Sequence, residues 1–360
     1  MIPYAEDRFN SSNAAKFYIM PSKYKNCWEY YYKQYITAFD FLLRNANLKH
    51  YRTNCQSMSF MFLFRHLVEL ILKHEMSMLG QDIPKTHVLS ELARCLDERY
   101  YNLIQSLPHL YPNEDGSRFR YYEDKNGTPY FNQSEILDVI DDCNTLIQFS
   151  NKSAFLLHFH NTLNPNDKIL RNELNFHTSE CRGIGNIRSH YDYTLDMFIS
   201  AIANDELNVN DVYLPILFLI RHGVELAIKD NLLDLGNILS YDSMIALNNE
   251  HNLFKLYKLL AEYVDEAIKR IPVGEKLREE SERYNSTLII LKDMIHKFDA
   301  KSYAFRFPSN INLKFEKEEI LSALQLYYET DAFLSNAVMV LFEAGYLTIG
   351  DDVIYHYYYE

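Results

Sequence analysis

Phe64-Arg65-His66-Leu67-Val68-Glu69-Leu70-Ile71-Leu72-Lys73 returns further along the chain as Ile220-Arg221-His222-Gly223-Val224-Glu225-Leu226-Ala227-Ile228-Lys229. Arg, His, Val, Glu, Leu, Ile or Leu, and Lys recur in the same order, with the offset of 156 that separates Arg65 from Arg221. Self-similarity of this kind has to be recognised before any element is assigned, because it sets the architecture. Upstream, Tyr35 and Asp40 meet Tyr191 and Asp196 at the same offset. Downstream the order survives with insertions: Thr86-His87-Val88-Leu89 meets Glu250-His251-Asn252-Leu253, and Phe119-Arg120-Tyr121 meets Phe305-Arg306-Phe307. Glu135-Ile136-Leu137 and Glu319-Ile320-Leu321 then open a closing helix in each copy.

The first of these stretches lies in a run, from about Gln56 to Met78, that is apolar almost without interruption. That predicts a central helix buried on all sides. The interruptions Arg65, Glu69 and Lys73, and in the second copy Arg221, Glu225 and Lys229, fall every fourth residue and so line up as one stripe. His66 and His222 sit beside it. Ionised groups withdrawn from water are expensive unless paired and hydrogen-bonded, so partners must come from elsewhere in each unit. The repeated polar residues available are His87 and His251 at the start of the next helix and Arg120 and Arg306 in the later loop. Glu69 and Glu225 are expected to accept from one or both.

Further helices are expected over 28–45, 87–107, 134–162, 252–271 and 316–345, with Pro108 and Pro272 as stops. Asn126-Gly127, between two aromatic stretches, predicts a short hairpin. The organisation is then a lead at 1–26, a first bundle at 27–163, a linker at 164–190, a second bundle at 191–347 and an aromatic tail at 348–360. Val353 to Tyr359 of that tail is β-prone. The fold class is all-α: two tandem helical bundles trimmed by small β-hairpins.

Composition narrows the function. With 360 residues, 48% hydrophobic and 24% charged, the chain is an ordinary globular one. Its apolar runs are broken by Arg and His before the roughly 20 residues a membrane span needs. The start lacks a signal pattern, and five cysteines, at 27, 55, 95, 143 and 181, have no metal or redox spacing. A cytoplasmic protein without membrane contact, metal or cofactor is expected. Residues 1–180 hold 19 Lys and Arg against 21 Asp and Glu, whereas 181–360 hold 17 against 28. Nucleic acid needs a basic face, so it would use the first half or the cleft between copies. Lys16, Lys23, Lys25 and Lys33 interleave there with Tyr18, Tyr24, Trp28 and Tyr35. That mixture either stacks bases and holds phosphates or is aromatic packing edged by solvated lysines. His158, His160 and His190 read as packing or helix-end residues.

Arg-His-x-x-Glu-Leu-x-x-Lys on one helix, His-x-Leu opening the next and Phe-Arg-Tyr/Phe before a long final helix resemble the HEPN family of small helical bundles, twice over. The resemblance implies that Glu69, Lys73, His87, Phe119 and Arg120, with Glu225, Lys229, His251, Phe305 and Arg306, belong to the bundle cores. Active members of that family are metal-independent ribonucleases with an Arg followed four to six residues later by a His. Arg44 with His50, and Arg171 with His177, have that spacing. Such a pair suits the chemistry, since His exchanges protons with a ribose hydroxyl and Arg steadies the phosphate. Neither pair has a counterpart in the other copy, and the Phe-Arg-aromatic loop stands where the motif would be. The expectation is therefore a non-catalytic binding or scaffold protein for RNA, a nucleotide or a partner protein, in a prokaryotic defence or toxin–antitoxin setting by analogy. The alternative is a ribonuclease whose two copies stand in for a dimer.

Overall fold

The tyrosine-rich stretch after Cys27 winds into α1 (Trp28–Ala46), and the apolar run around Arg65 into α2 (Ser57–Met78). They belong to a computed structural model that describes residues 13–46, 56–111, 116–131, 136–149, 175–178, 183–234, 247, 249–270, 275–309 and 314–345. Then come α3 (Leu89–Leu96), α4 (Glu98–Gln105), β1 (Ile136–Asp138), α5 (Val139–Phe149), β2 (Asn175–His177), α6 (Ile184–Ala203), α7 (Tyr213–Asp234), α8 (Leu253–Arg270), α9 (Glu275–Asp299) and α10 (Glu319–Glu343). The fold is all-α, and the sheet among the described residues is one two-stranded antiparallel ribbon, Ile136 opposite His177 and Asp138 opposite Asn175. Among the described residues no helix is long and apolar enough to cross a membrane.

The chain forms two compact units. The first comprises Met1–Asp124, Thr128–Leu219 and Tyr303–Leu321; the second comprises Lys125–Gly127, Ile220–Ser302 and Ser322–Glu360. In the first, α2 packs against α1, α3 and α6, and seventeen of its 22 residues are buried. In the second, α8 pairs with α9, and Phe333 of α10 packs its ring on Tyr257 and Tyr284 at centroid distances of 5.2 and 5.3 Å.

Several elements differ from the sequence reading, α9 among them, for which no helix is expected. The helix expected over 87–107 is broken at Asp97, whose extended backbone lets its carboxylate accept from the amides of Arg99 and Tyr100 and so start α4. The closing helix expected over 134–162 opens instead as β1. Ile136 is exposed and Leu137 buried, the two-residue period of a strand. The part expected as linker up to residue 190 already contains the first turns of α6. At Asn126-Gly127 the turn forms, with Gly127 at positive φ and a single bridge between Glu123 and Pro129. Val353 to Tyr359, His158 and His160 lie outside the described residues.

α5 buries Val139, Ile140, Cys143 and Leu146, and with them Asp142. Neither Asp142 oxygen has a well-formed hydrogen bond. Burial pushes its carboxyl up to about 8; the His109 backbone pulls the other way, and Asp138 and Asp141 add to the rise. The unfolded chain releases this proton near the ordinary carboxyl value while the folded chain keeps it to about 8. Asp142 thus supports the fold fully at acid pH, and that support is lost as pH rises through this window. Asp142→Asn should flatten the fall of Tm between pH 5 and 8, measured by thermal unfolding; a slope identical to wild type would exonerate Asp142.

Candidate functional site

In the first unit Arg65, Glu69 and Lys73 are each at most 3% exposed, so their charges must be met internally. Glu69 Oε2 accepts from Arg65 Nη1 at 2.5 Å. Its Oε1 accepts from Lys73 Nζ at 2.6 Å and from His87 Nδ1 at 2.8 Å. Burial alone would raise the Glu69 carboxyl, but Arg65, His66, His87 and Lys73 outweigh it and hold the group well below the usual range. Arg65 Nη2 also donates to the His87 carbonyl, tying α2 to the entry of α3. Gly116, at φ 74°, lies so close that a Cβ there would sit 2.7 Å from Arg65 Cδ. Only a glycine accommodates both the backbone and the approach.

The second unit rebuilds this arrangement on α7. Glu225 accepts from Arg221 Nη1, from Lys229 Nζ at 3.2 Å and from His251 Nδ1 at 2.8 Å. Arg221 Nη2 donates to the His251 carbonyl and to Asp299 Oδ1, the latter at 2.9 Å. Asp299 Oδ2 takes the amide of Leu253 at the start of α8. The repeat could not reveal Asp299: at the 186-residue offset that pairs Arg120 with Arg306, the first copy has Asn113.

His66 is fully buried. Burial lowers its imidazole to about 4, against the pull of Glu69, so it is neutral near pH 7. Its Nε2 donates to the Arg306 carbonyl at 3.2 Å, which fixes the tautomer. His222 lies equally deep in the second unit, 3.8 Å from Glu225. Neither histidine is placed to exchange protons with a substrate in water. His190, also expected as a packing residue, is buried in the first unit, where its Nδ1 accepts the Met58 amide at the start of α2.

The Phe-Arg-aromatic loops are exchanged inside the first unit. Tyr35 on α1 donates its hydroxyl to the Phe305 carbonyl at 2.9 Å, and its repeat partner Tyr191 on α6 donates to the Phe119 carbonyl at 2.9 Å. Phe62 and its partner Phe218 stack at 4.4 Å. Arg120 lies over Phe62 at 6.0 Å and Arg306 over Phe218 at 5.8 Å. Each contact made by a residue of one copy is thus matched by a contact of its counterpart in the other. Phe307 then covers Lys73, His66 and His87 at 4.4, 4.9 and 5.1 Å, so a loop from the second copy seals the first stripe. Arg120 donates Nε to the Gly116 carbonyl, while Arg306 is the loop arginine in electrostatic reach of Glu69.

The remaining candidates are scattered. Arg44 pairs with Asp40 at 2.7 Å on an exposed part of α1; His50 and Arg171 lie outside the described residues, and His177 belongs to β2. Of the basic and aromatic lead, Lys16 pairs with Asp205 at 2.6 Å, and Tyr31 and Tyr35 are core residues. Lys23, Lys25 and Lys33 instead converge on a cleft of about 490 Å³ in the first unit, with Tyr30, Gln34 and Asp211 along its wall.

No family model, no curated protein and no solved structure matches this chain.

The two glutamates carry the clearest energetic consequence. Removing one partner of a buried ion pair leaves uncompensated charge and costs roughly 3–5 kcal/mol. Glu69→Ala and Glu225→Ala should each lower stability by about that much in denaturant unfolding. A midpoint unchanged within error for either would show that its cage contributes nothing.

Proposed function

We propose that this is a non-catalytic, HEPN-like binding protein, and that its ligand is RNA held by its phosphates in the lysine cleft of the first unit. The observation that carries the reading is the contrast between two sets of cations. Arg65, Lys73, Arg221 and Lys229 are consumed by buried carboxylates. Lys23 and Lys25 form no ion pair among the described residues, and Lys33 is tied to Glu29 only on its exposed side.

The cleft is of a size that takes one nucleotide unit. Lysines at its edge supply the point charges phosphates require, Tyr30 offers a ring edge, and Glu29 and Asp211 can accept from ribose hydroxyls or base amines. The repeated Arg-His-x-x-Glu-Leu-x-x-Lys pattern supports the same reading through the family resemblance, and the absence of a matching Arg-His pair in both copies weighs against catalysis.

Fluorescence anisotropy with a labelled single-stranded RNA tests this. Lys23→Ala with Lys25→Ala should weaken binding, and each lost phosphate contact should reduce the slope of log K against log salt by about 0.7. Unaltered affinity and slope in the double variant would place the RNA elsewhere. Cleavage of the RNA in the presence of a chelator would make the protein a ribonuclease instead.

A further inference from the structure

α9 has two opposite faces. Tyr284, Leu291, Ile295 and Phe298 are buried on one. Glu282, Ser286, Ile289, Ile290, Asp293 and Lys297 are exposed on the other, at the three- and four-residue spacing that lines side chains up along a helix. Ile289 is 75% exposed and Ile290 45%. An isoleucine left in water forgoes its burial energy and is a weaker helix former than the Ala, Lys or Glu that would serve a solvated face. Two in succession at the middle of the face, rimmed by polar residues, have the layout of a contact surface.

The charges on that face decide what fits it. Its N-terminal part is acidic: Glu279 and Glu282, with Arg283 at the edge, line a cleft of about 410 Å³ that Ser286 and Asn336 also border. Its C-terminal part ends on Lys297. Glu282 and Lys297 lie 15 residues apart, roughly 22 Å along a helix, too far to meet within one chain. Each is seven residues from the nearer isoleucine, and Ser286 and Asp293 are each three. A second α9 laid antiparallel, centred between Ile289 and Ile290, therefore sets Ile289 on Ile290, Glu282 against Lys297 and Ser286 against Asp293, each twice. A parallel copy would set Glu282 on Glu282 and Lys297 on Lys297. A wholly basic partner would suit Glu279 and Glu282 but repel Lys297.

We propose that this face of α9 is a self-association surface, on which two copies of the chain pair antiparallel through Ile289 and Ile290, with Lys297 of each seated in the acidic cleft of the other. The contact spans about four helical turns, small beside the roughly 1,000 Å² of a stable interface. The dimer is therefore a transient one. Burial of the isoleucines supplies its affinity, and the two Glu282–Lys297 contacts fix its direction. The surface belongs to the second unit and does not depend on the RNA reading, whose lysine cleft is in the first.

Sedimentation velocity of the full chain, over about 5 to 500 µM, tests this. The wild-type sedimentation coefficient should rise with concentration towards that of a dimer. Ile289→Asp with Ile290→Asp should weaken the association about tenfold or more. Both side chains face water, so this variant should keep the wild-type Tm at low concentration. Glu282→Lys sets lysine against lysine and should weaken association about fivefold. Glu282→Lys combined with Lys297→Glu exchanges both members of each pair and should return it to within about twofold of wild type. A monomer throughout the range would overturn the surface, and so would a dimer indifferent to the isoleucine change. Failure of the charge exchange to restore what Glu282→Lys loses would overturn the antiparallel pairing.

Discussion

A carboxylate cut off from water stays ionised only inside a cage of cations, and two such cages fix the helices of this protein. Apolar contacts would let α2 rotate or slide against its neighbours at little cost, because dispersion and the hydrophobic effect are non-directional. The Glu69 cage does not. Arg65, Lys73 and His87 must all reach the same two oxygens, which sets the rotation of α2 and the point where the chain turns into α3. Arg65 extends the constraint to Gly116, and Phe307 closes it from outside. On α7 the same logic runs through Glu225, with Asp299 as an added anion that also anchors the start of α8.

Much of this was legible in the sequence, because the physics involved is local or periodic. An apolar run broken every fourth residue can only be a buried helix with a polar stripe, so α2, α7 and the residues on them could be read directly. The histidines opening the next helix were legible from the repeat. What escaped had other causes. Asp97 resembles any surface acid in a helical pattern until its side chain is seen capping the next two amides. Ile136-Leu137 matched the opening of a true helix in the other copy, and that analogy outweighed a short alternating signal. α9 and Asp299 sit in an insertion, where a repeat carries no information. Nor does a repeat tell which copy's loop packs on which stripe, so the exchange of Phe119 and Phe305 between Tyr191 and Tyr35 was invisible.

Arginine plays two separable parts in this structure. Where it is spent on a buried carboxylate and a carbonyl, as at Arg65 and Arg221, it behaves as a strut and adds no chemistry. At Arg306 the guanidinium instead lies over the rings of Phe218 and Phe307. Both kinds occur within one unit, and the repeat motif alone does not separate them. The strongly patterned residues are the ones consumed by buried carboxylates, whereas the lysines of the cleft follow no pattern.

The tyrosine holds have a consequence for how the chain comes off the ribosome. Tyr35 and its acceptor on Phe305 are separated by 270 residues. At cellular elongation rates of about 5–20 residues per second, roughly 15–50 s pass between the emergence of the two. Throughout that interval the Glu69 cage lacks its Phe307 cover, and α1 waits with a buried hydroxyl unsatisfied. The core around α1 and α2 is therefore completed long after those two helices are made.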